Sequence, residues 1–311
     1  MNQIDMNKIE TNISLHTSLG LISLLIWSAS VVLSRATSEE LGKYTAGATI
    51  YLIGGVLACL LTARKPQGLK KMVSLPKKYL LICGCLFVMY IVLFYVAIGL
   101  ASTSKATVVV GLINYFWPTF IIVFSIPILG RKSNWLIFPG VIFSMIGVYL
   151  AATSDQNIGL VDIFSSGNKD YLPYSLAFLA AISWGLYTNF SQKFGGKGDD
   201  ALPIFLLACG IVLLILRLFA VEHSVWSVKS ILLVIFTILF PVVLAYSFWD
   251  IGIRKGNAIL ISALSYFTPI FSTIMTGVFL GVTIDGKIWL GCALVTIGAI
   301  LCKFAFTKQK P

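Results

Sequence analysis

The chain has 311 residues, 58% of them hydrophobic and 11% charged, with a formal net charge of +11. Soluble domains carry about 25% charged residues, so a mean hydropathy of +0.93 excludes an ordinary globular domain and points to an all-α integral membrane protein. The positive charge is not a nucleic-acid footprint, because the Lys and Arg residues lie between hydrophobic stretches, where they set membrane orientation.

Residues 1–17 are polar and of mixed charge, without the basic-then-apolar order of a cleaved signal, and form a tail. Ten stretches then reach the roughly 20 apolar residues that a spanning helix needs. They fall at about 18–37, 44–63, 79–99, 106–129, 134–152, 174–194, 202–220, 229–252, 257–281 and 286–304. The longest link, 153–173, is acidic and contains Gly, Ser and Asn; it separates five spans in 18–152 from five in 174–304, and 305–311 is a second tail. Sixteen of the 23 Lys and Arg residues sit in the tails and even-numbered links, including the run from Arg64 to Lys78, which is also suited to anionic lipid. By the excess of positive residues on that side, both termini are expected in the cytoplasm. The six cysteines fall in apolar segments without a C-x-x-C pair or a nearby His, so neither disulfides nor a metal or other cofactor is expected.

The two sets of five repeat one another. Trp27, Ser30 and Ser34 in the first span match Trp184, Tyr187 and Ser191 in the sixth, and Ala97-Ile98-Gly99 matches Asp250-Ile251-Gly252. Asn114-Tyr115-Phe116-Trp117-Pro118 in the fourth matches Ser265-Tyr266-Phe267-Thr268-Pro269 in the ninth. Trp135-Leu136 and Ile146-Gly147 in the fifth match Trp289-Leu290 and Ile297-Gly298 in the tenth. An odd number of spans per unit inverts the second copy in the membrane. Ten transmembrane helices as two inverted five-helix repeats, with spans broken at matching places, is a transporter pattern in which substrate sits near the midplane.

The fourth and ninth spans carry the polar residues. Gly111, Asn114, Tyr115 and Pro118 follow i, i+3, i+4, i+7 spacing, as do Ser262, Ser265, Tyr266 and Pro269. A proline inside a helix removes one N–H and crowds the carbonyl four residues back, here that of Asn114, so Pro118 and Pro269 are candidate hinges for gating. The half-helix ends they create, each equivalent to roughly half a charge, would hold an ammonium and a carboxylate without a charged side chain. Of seven tryptophans, Trp135, Trp226, Trp249 and Trp289 lie near span ends, as an interfacial belt does. Trp27, Trp117 and Trp184 lie at mid-span, where they pack against neighbours or, with Tyr115, Tyr187 and Tyr266, wall a cavity suited to flat side chains and cations. Tyr90 and Phe94 suit either core or cavity.

A charge at mid-bilayer costs about 2.5–3.5 kcal/mol even on the lenient insertion scale, and so marks function where it occurs. The only carboxylate inside a span is Asp250, near a span end, and the first span has none. That disfavours a proton-coupled drug antiporter of the small multidrug type, and the lack of Lys or Arg at mid-depth disfavours a carrier of phosphorylated metabolites. With His16 and His223 as the only histidines and no H-E-x-x-H or G-x-S-x-G, an enzyme is not expected; a channel or sensor is the remaining rival.

These features together resemble the drug/metabolite transporter superfamily. The stretch Val110–Phe120, with Asn134-Trp135-Leu136-Ile137 and Pro139-Gly140 after it, is similar to the bacterial aromatic amino acid exporter branch. The resemblance runs from about Gly20 to Phe304. It implies an inner-membrane exporter of aromatic and other bulky neutral or zwitterionic amino acids, extending to organic cations such as methyl viologen. It also implies a basket-like bundle whose central cavity is lined by Asn114, Tyr115, Trp117 and Trp184. Broad drug/metabolite efflux is the alternative within the superfamily. The partners expected are a small-molecule substrate and membrane lipid, with no nucleic acid.

Overall fold

The computed structural model describes residues 15–64, 66–152, 169–194, 201–255, 261 and 264–305. Residues 153–168 of the linker expected at 153–173, Ser262, most of both tails and the Asp250 side chain lie outside that description, and 171–173 of that linker are helical. Regular structure among the described residues is helical, the form in which a chain in lipid satisfies its own N–H and C=O groups. The helices are α1 Leu15–Ser28, α2 Ser30–Leu41, α3 Lys43–Ala63, α4 Gly68–Val73, α5 Gly84–Leu100, α6 Ser104–Asn114 and α7 Trp117–Leu129. They continue with α8 Ile137–Ala152, α9 Tyr171–Phe194, α10 Leu202–Leu218, α11 Val228–Thr237, α12 Ala245–Lys255, α13 Thr268–Leu280 and α14 Gly286–Phe304.

Four continuous stretches are long and apolar enough to cross a membrane: Lys43–Ala63, Tyr79–Leu100, Ser104–Leu129 and Val228–Trp249. A fifth is the pair α1–α2, bent by 40°. Four shorter apolar helices, Ile137–Ala151, Leu202–Leu218, Thr268–Leu280 and Gly286–Cys302, accompany them. Among the described residues, length and apolarity therefore mark fewer crossings than the ten expected. The shortfall has physical causes: four of the apolar helices have fewer than 18 residues, and α9 carries the polar residues Ser183, Thr188, Asn189 and Gln192.

Several of the expected spans are interrupted, beyond the two in which a break was expected. The first bends at Ala29, where the Ala29 N–H donates to the Ile26 carbonyl at 3.1 Å. The Ser28 hydroxyl donates back to the Leu24 carbonyl at 2.8 Å, the kind of back-bonding that bends helices. Wider π-helical turns, at Tyr79–Cys83 before α5 and at Ile238–Leu244 between α11 and α12, interrupt two more. The fourth stops at Asn114 and restarts at Trp117; the ninth restarts at Thr268 after a 3₁₀ turn, Ser265–Phe267. Pro118 and Pro269 thus lie in the first turn of α7 and α13, where the missing N–H has no helical partner to lose. The break precedes the proline, and the expected mid-helix kink is not what forms.

One constant offset in the numbering relates Pro118 to Pro269 and Gly130 to Gly281. Both glycines end their helices at positive φ, 66° and 64°. The same offset relates Gly140 to Gly291 and Gly147 to Gly298, and these four make the α8–α14 crossing. A methyl at Gly147 would stand 2.5 Å from the Gly291 carbonyl oxygen, and one at Gly298 2.5 Å from that of Gly140. The Trp135/Trp289 match departs from this offset by one helical turn. Elsewhere α3 packs along α10, α9 along α5 and α7, and α1 along α12, so both parts of the chain contribute to every layer.

Candidate functional site, an uncharged aromatic cavity

Two aromatic groups face each other across the interior. On α1 and α12, Trp27 lies 4.9 Å from Tyr246 and 5.4 Å from Trp249, centroid to centroid. Its indole Nε1–H donates to the Pro241 carbonyl, in the second π-helical turn, at 3.1 Å. On α5 and α9, Trp184 lies 4.6 Å from Tyr90, 5.0 Å from Tyr187 and 5.9 Å from Phe87. The Ser183 hydroxyl donates to the Leu86 carbonyl at 2.7 Å and fixes α9 against α5. The Asn189 amide bridges Ile121 and Gly185 carbonyls at 2.9 and 2.8 Å and fixes α9 against α7.

Between the groups is a cavity of about 400 Å³. Its polar centre is the α6–α7 break. Asn114 is 4% exposed, and its Oδ1 has no hydrogen-bond partner. The helix α13 packs on α6, which brings the two broken spans together. Ser265 and Thr268, at the start of α13, complete this wall. Ser30, Ser34, Tyr51 and Tyr95 also line the space, and the Tyr95 ring meets Tyr51 at 5.5 Å. No Asp, Glu, Lys, Arg or His is among the described residues that line it. Hydroxyls, one amide, aromatic faces and the N-termini of α7 and α13 supply its electrostatics.

Of the residues singled out in the sequence, Trp27, Tyr90, Asn114, Tyr115, Trp117, Trp184, Tyr187 and Ser265 lie on the cavity wall. Pro118 and Pro269 are buried beside it and do not line it. The Tyr266 side chain lies outside the described atoms. Gly111 packs on Val31 of α2, 3.0 Å from where its Cβ would stand, and does not face the cavity. Trp249, expected in an interfacial belt, instead lines the cavity against Trp27. Trp135, at 71% exposed, and Trp226, at 53%, are on the outer surface. Tyr51, Tyr95 and Gln192 were not foreseen. Tyr51 and Tyr95 sit among apolar residues with the spacing of ordinary core aromatics.

The two ends of the bundle differ. At one, ion pairs join the turns between helices: Lys105–Asp285 at 2.7 Å, Lys229–Glu40 at 2.6 Å and Arg217–Glu222 at 3.6 Å. Arg35 donates to the Ala101 carbonyl at 2.7 Å, and Asp170 accepts from the Ser102 N–H at 2.8 Å. Toward the other end the cavity runs out along Ser191 and Gln192 in the last turn of α9 and Leu202 at the start of α10.

A protein-family model described as the EamA-like transporter family matches residues 16–153 and 172–303. The chain belongs to that family. It is thus a membrane transporter rather than an enzyme. An aromatic amino acid exporter, YddG, of Escherichia coli is 31% identical over 289 residues, covering 93% of this chain and 97% of that protein. The exporter of the same name from Salmonella typhimurium is 30% identical over 293 residues, covering 94% and 98%, and that of Ancylobacter novellus is 26% identical over 286, covering 91% and 95%. A solved crystal structure shares the fold with a TM-score of 0.67 at 24% identity, covering 96% of this chain and 100% of its own.

Proposed function

We propose that this transporter exports aromatic and other bulky neutral amino acids across the bacterial inner membrane. The observation that carries the reading is the uncharged aromatic cavity around the buried, partnerless Asn114 Oδ1. An ammonium placed there gains an acceptor, a carboxylate is favoured at the N-terminus of α7 or α13, and a flat side chain fits between the aromatic groups. The exporters named above, aligned over nearly the whole chain, support the same substrate class.

In this reading ten spans form two inverted repeats, 18–152 and 174–304, that rock about the cavity. The double family match, the paired breaks at Asn114 and Ser265 and the reciprocal glycine contacts support it. Both termini lie in the cytoplasm, and the conformation with the ion-paired end closed admits substrate from that side. Pro118 and Pro269, at the restart points of their helices, act as hinges.

The test is transport by purified protein in liposomes, following labelled phenylalanine, threonine and methyl viologen with and without a pH gradient. Amino acid flux that is independent of the gradient and lost in Trp117→Ala is the expected result. Proton-driven flux of methyl viologen alone would overturn it in favour of drug efflux, a reading that the cation-binding faces of the aromatic walls keep in view.

A further inference from the structure

A second hollow, of about 530 Å³, lies on the outer surface between the Leu80–Val92 stretch and α10. Leu81, Met89, Ile204 and Ala208 are among its walls, and it has no charged lining residue. Leu80 to Val92 rises roughly 18 Å at 1.5 Å per residue, slightly more than half of the roughly 30 Å hydrocarbon core. The hollow is thus about one lipid leaflet deep.

Its mouth is Val73, the last residue of α4 and 63% exposed. Lys70 and Lys71 precede Val73 on that helix, and Lys77 and Lys78 follow it; all four are exposed. None makes an ion pair among the described residues, and the sequence has no acidic residue between Glu40 and Asp155 to neutralise them. Membrane orientation accounts for lysines on this side of the membrane. It does not account for their position at the mouth of an apolar slot.

We propose that this slot and its lysine cluster bind an anionic phospholipid, an acyl chain lying in the hollow and the phosphate held by Lys70, Lys71, Lys77 and Lys78. The site is separate from the central cavity and does not rest on the substrate reading.

Native mass spectrometry of the full chain in detergent tests it, with dioleoyl phosphatidylglycerol, dioleoyl phosphatidylcholine and soluble glycerol 3-phosphate as probes. Phosphatidylglycerol is expected to bind at least about tenfold more tightly than phosphatidylcholine, given the attraction each basic residue adds. Glycerol 3-phosphate alone is expected not to bind. The combined Lys70→Gln, Lys71→Gln, Lys77→Gln and Lys78→Gln variant should lose the preference, and the corresponding Lys→Arg set should keep it. Ala208→Trp, which fills the slot and leaves the charges, should weaken binding of both lipids. Equal binding of the two lipids would overturn the proposal, as would a preference that survives the glutamine set or lipid binding unaffected by Ala208→Trp. So would glycerol 3-phosphate binding as tightly as the lipid.

Discussion

At the residue scale, Asn114 is one of four described side chains with a buried, unpartnered oxygen, and among them it is the one that lines the cavity. Leaving a buried polar atom unpaired costs about 1–3 kcal/mol, and the Oδ1 of Asn114 is buried without a partner. A hydrogen bond from a charged donor such as an ammonium is worth about 1.5–3 kcal/mol, so its loss corresponds to roughly tenfold or more in affinity. Asn114→Leu is therefore expected to reduce phenylalanine transport at least about tenfold while the thermal melting point stays level or rises. A parallel fall in both would reduce Asn114 to a structural role. Asp285 makes the contrasting case at the surface. It caps α14 through the Ile288 N–H at 2.9 Å and pairs with Lys105. Burial pushes its carboxyl upward, but the Lys105 ammonium and the N–H groups of Ile288 and Lys287 outweigh that and hold it below its ordinary 3.8. A depressed value means the stabilisation is present at neutral pH and is lost as pH falls below about 4. Asp285→Asn keeps a capping side chain and loses the ion pair, so it should cost up to about 1 kcal/mol at pH 7. The difference from the parent should shrink progressively in melts taken as pH falls below about 4.

At the element scale, the α8–α14 crossing depends on glycine because backbone oxygen occupies the space a side chain would need. Gly298→Val would drive methyl groups into the Gly140 carbonyl and Ser144, and overpacking of this kind costs about 1–3 kcal/mol or more. Its expected signature is a lowered melting temperature in detergent, with Gly286→Ala as a milder control at a position that has nothing within 4 Å and no positive φ. Helix interruptions were only partly legible in the sequence. The breaks at Asn114 and Ser265 are flagged by the prolines that follow. The bend at Ala29 follows Ser28 and the π-helical turn at Ile238–Leu244 contains Pro241, but neither residue says which form its interruption takes. Nothing at Tyr79 announces the other π-helical turn. Tyr51 and Tyr95 escaped notice because a cavity-facing tyrosine and a core tyrosine have the same spacing. Trp249 lies near the end of its expected span but faces Trp27, because position along a span does not say which way a side chain points.

At the scale of the whole molecule, the ion-paired end and the end the cavity reaches give a directional prediction. In membranes without substrate, Gln192→Cys should react with a membrane-impermeant thiol reagent from the cytoplasmic side, and Ser34→Cys should not react from the other. Reversed accessibility would invert the proposed orientation. The packing of α1 on α12 and of α9 on α5 has a consequence for biogenesis. Trp27 finds Trp249 and Tyr246 only after the intervening chain has left the ribosome, more than 200 residues later. At about 5–20 residues per second, α1 waits on the order of 10–40 s in the bilayer with its indole N–H unpaired. Neither half can complete its own core during that interval, so the translocon or the surrounding lipid must shelter the first half until the second arrives.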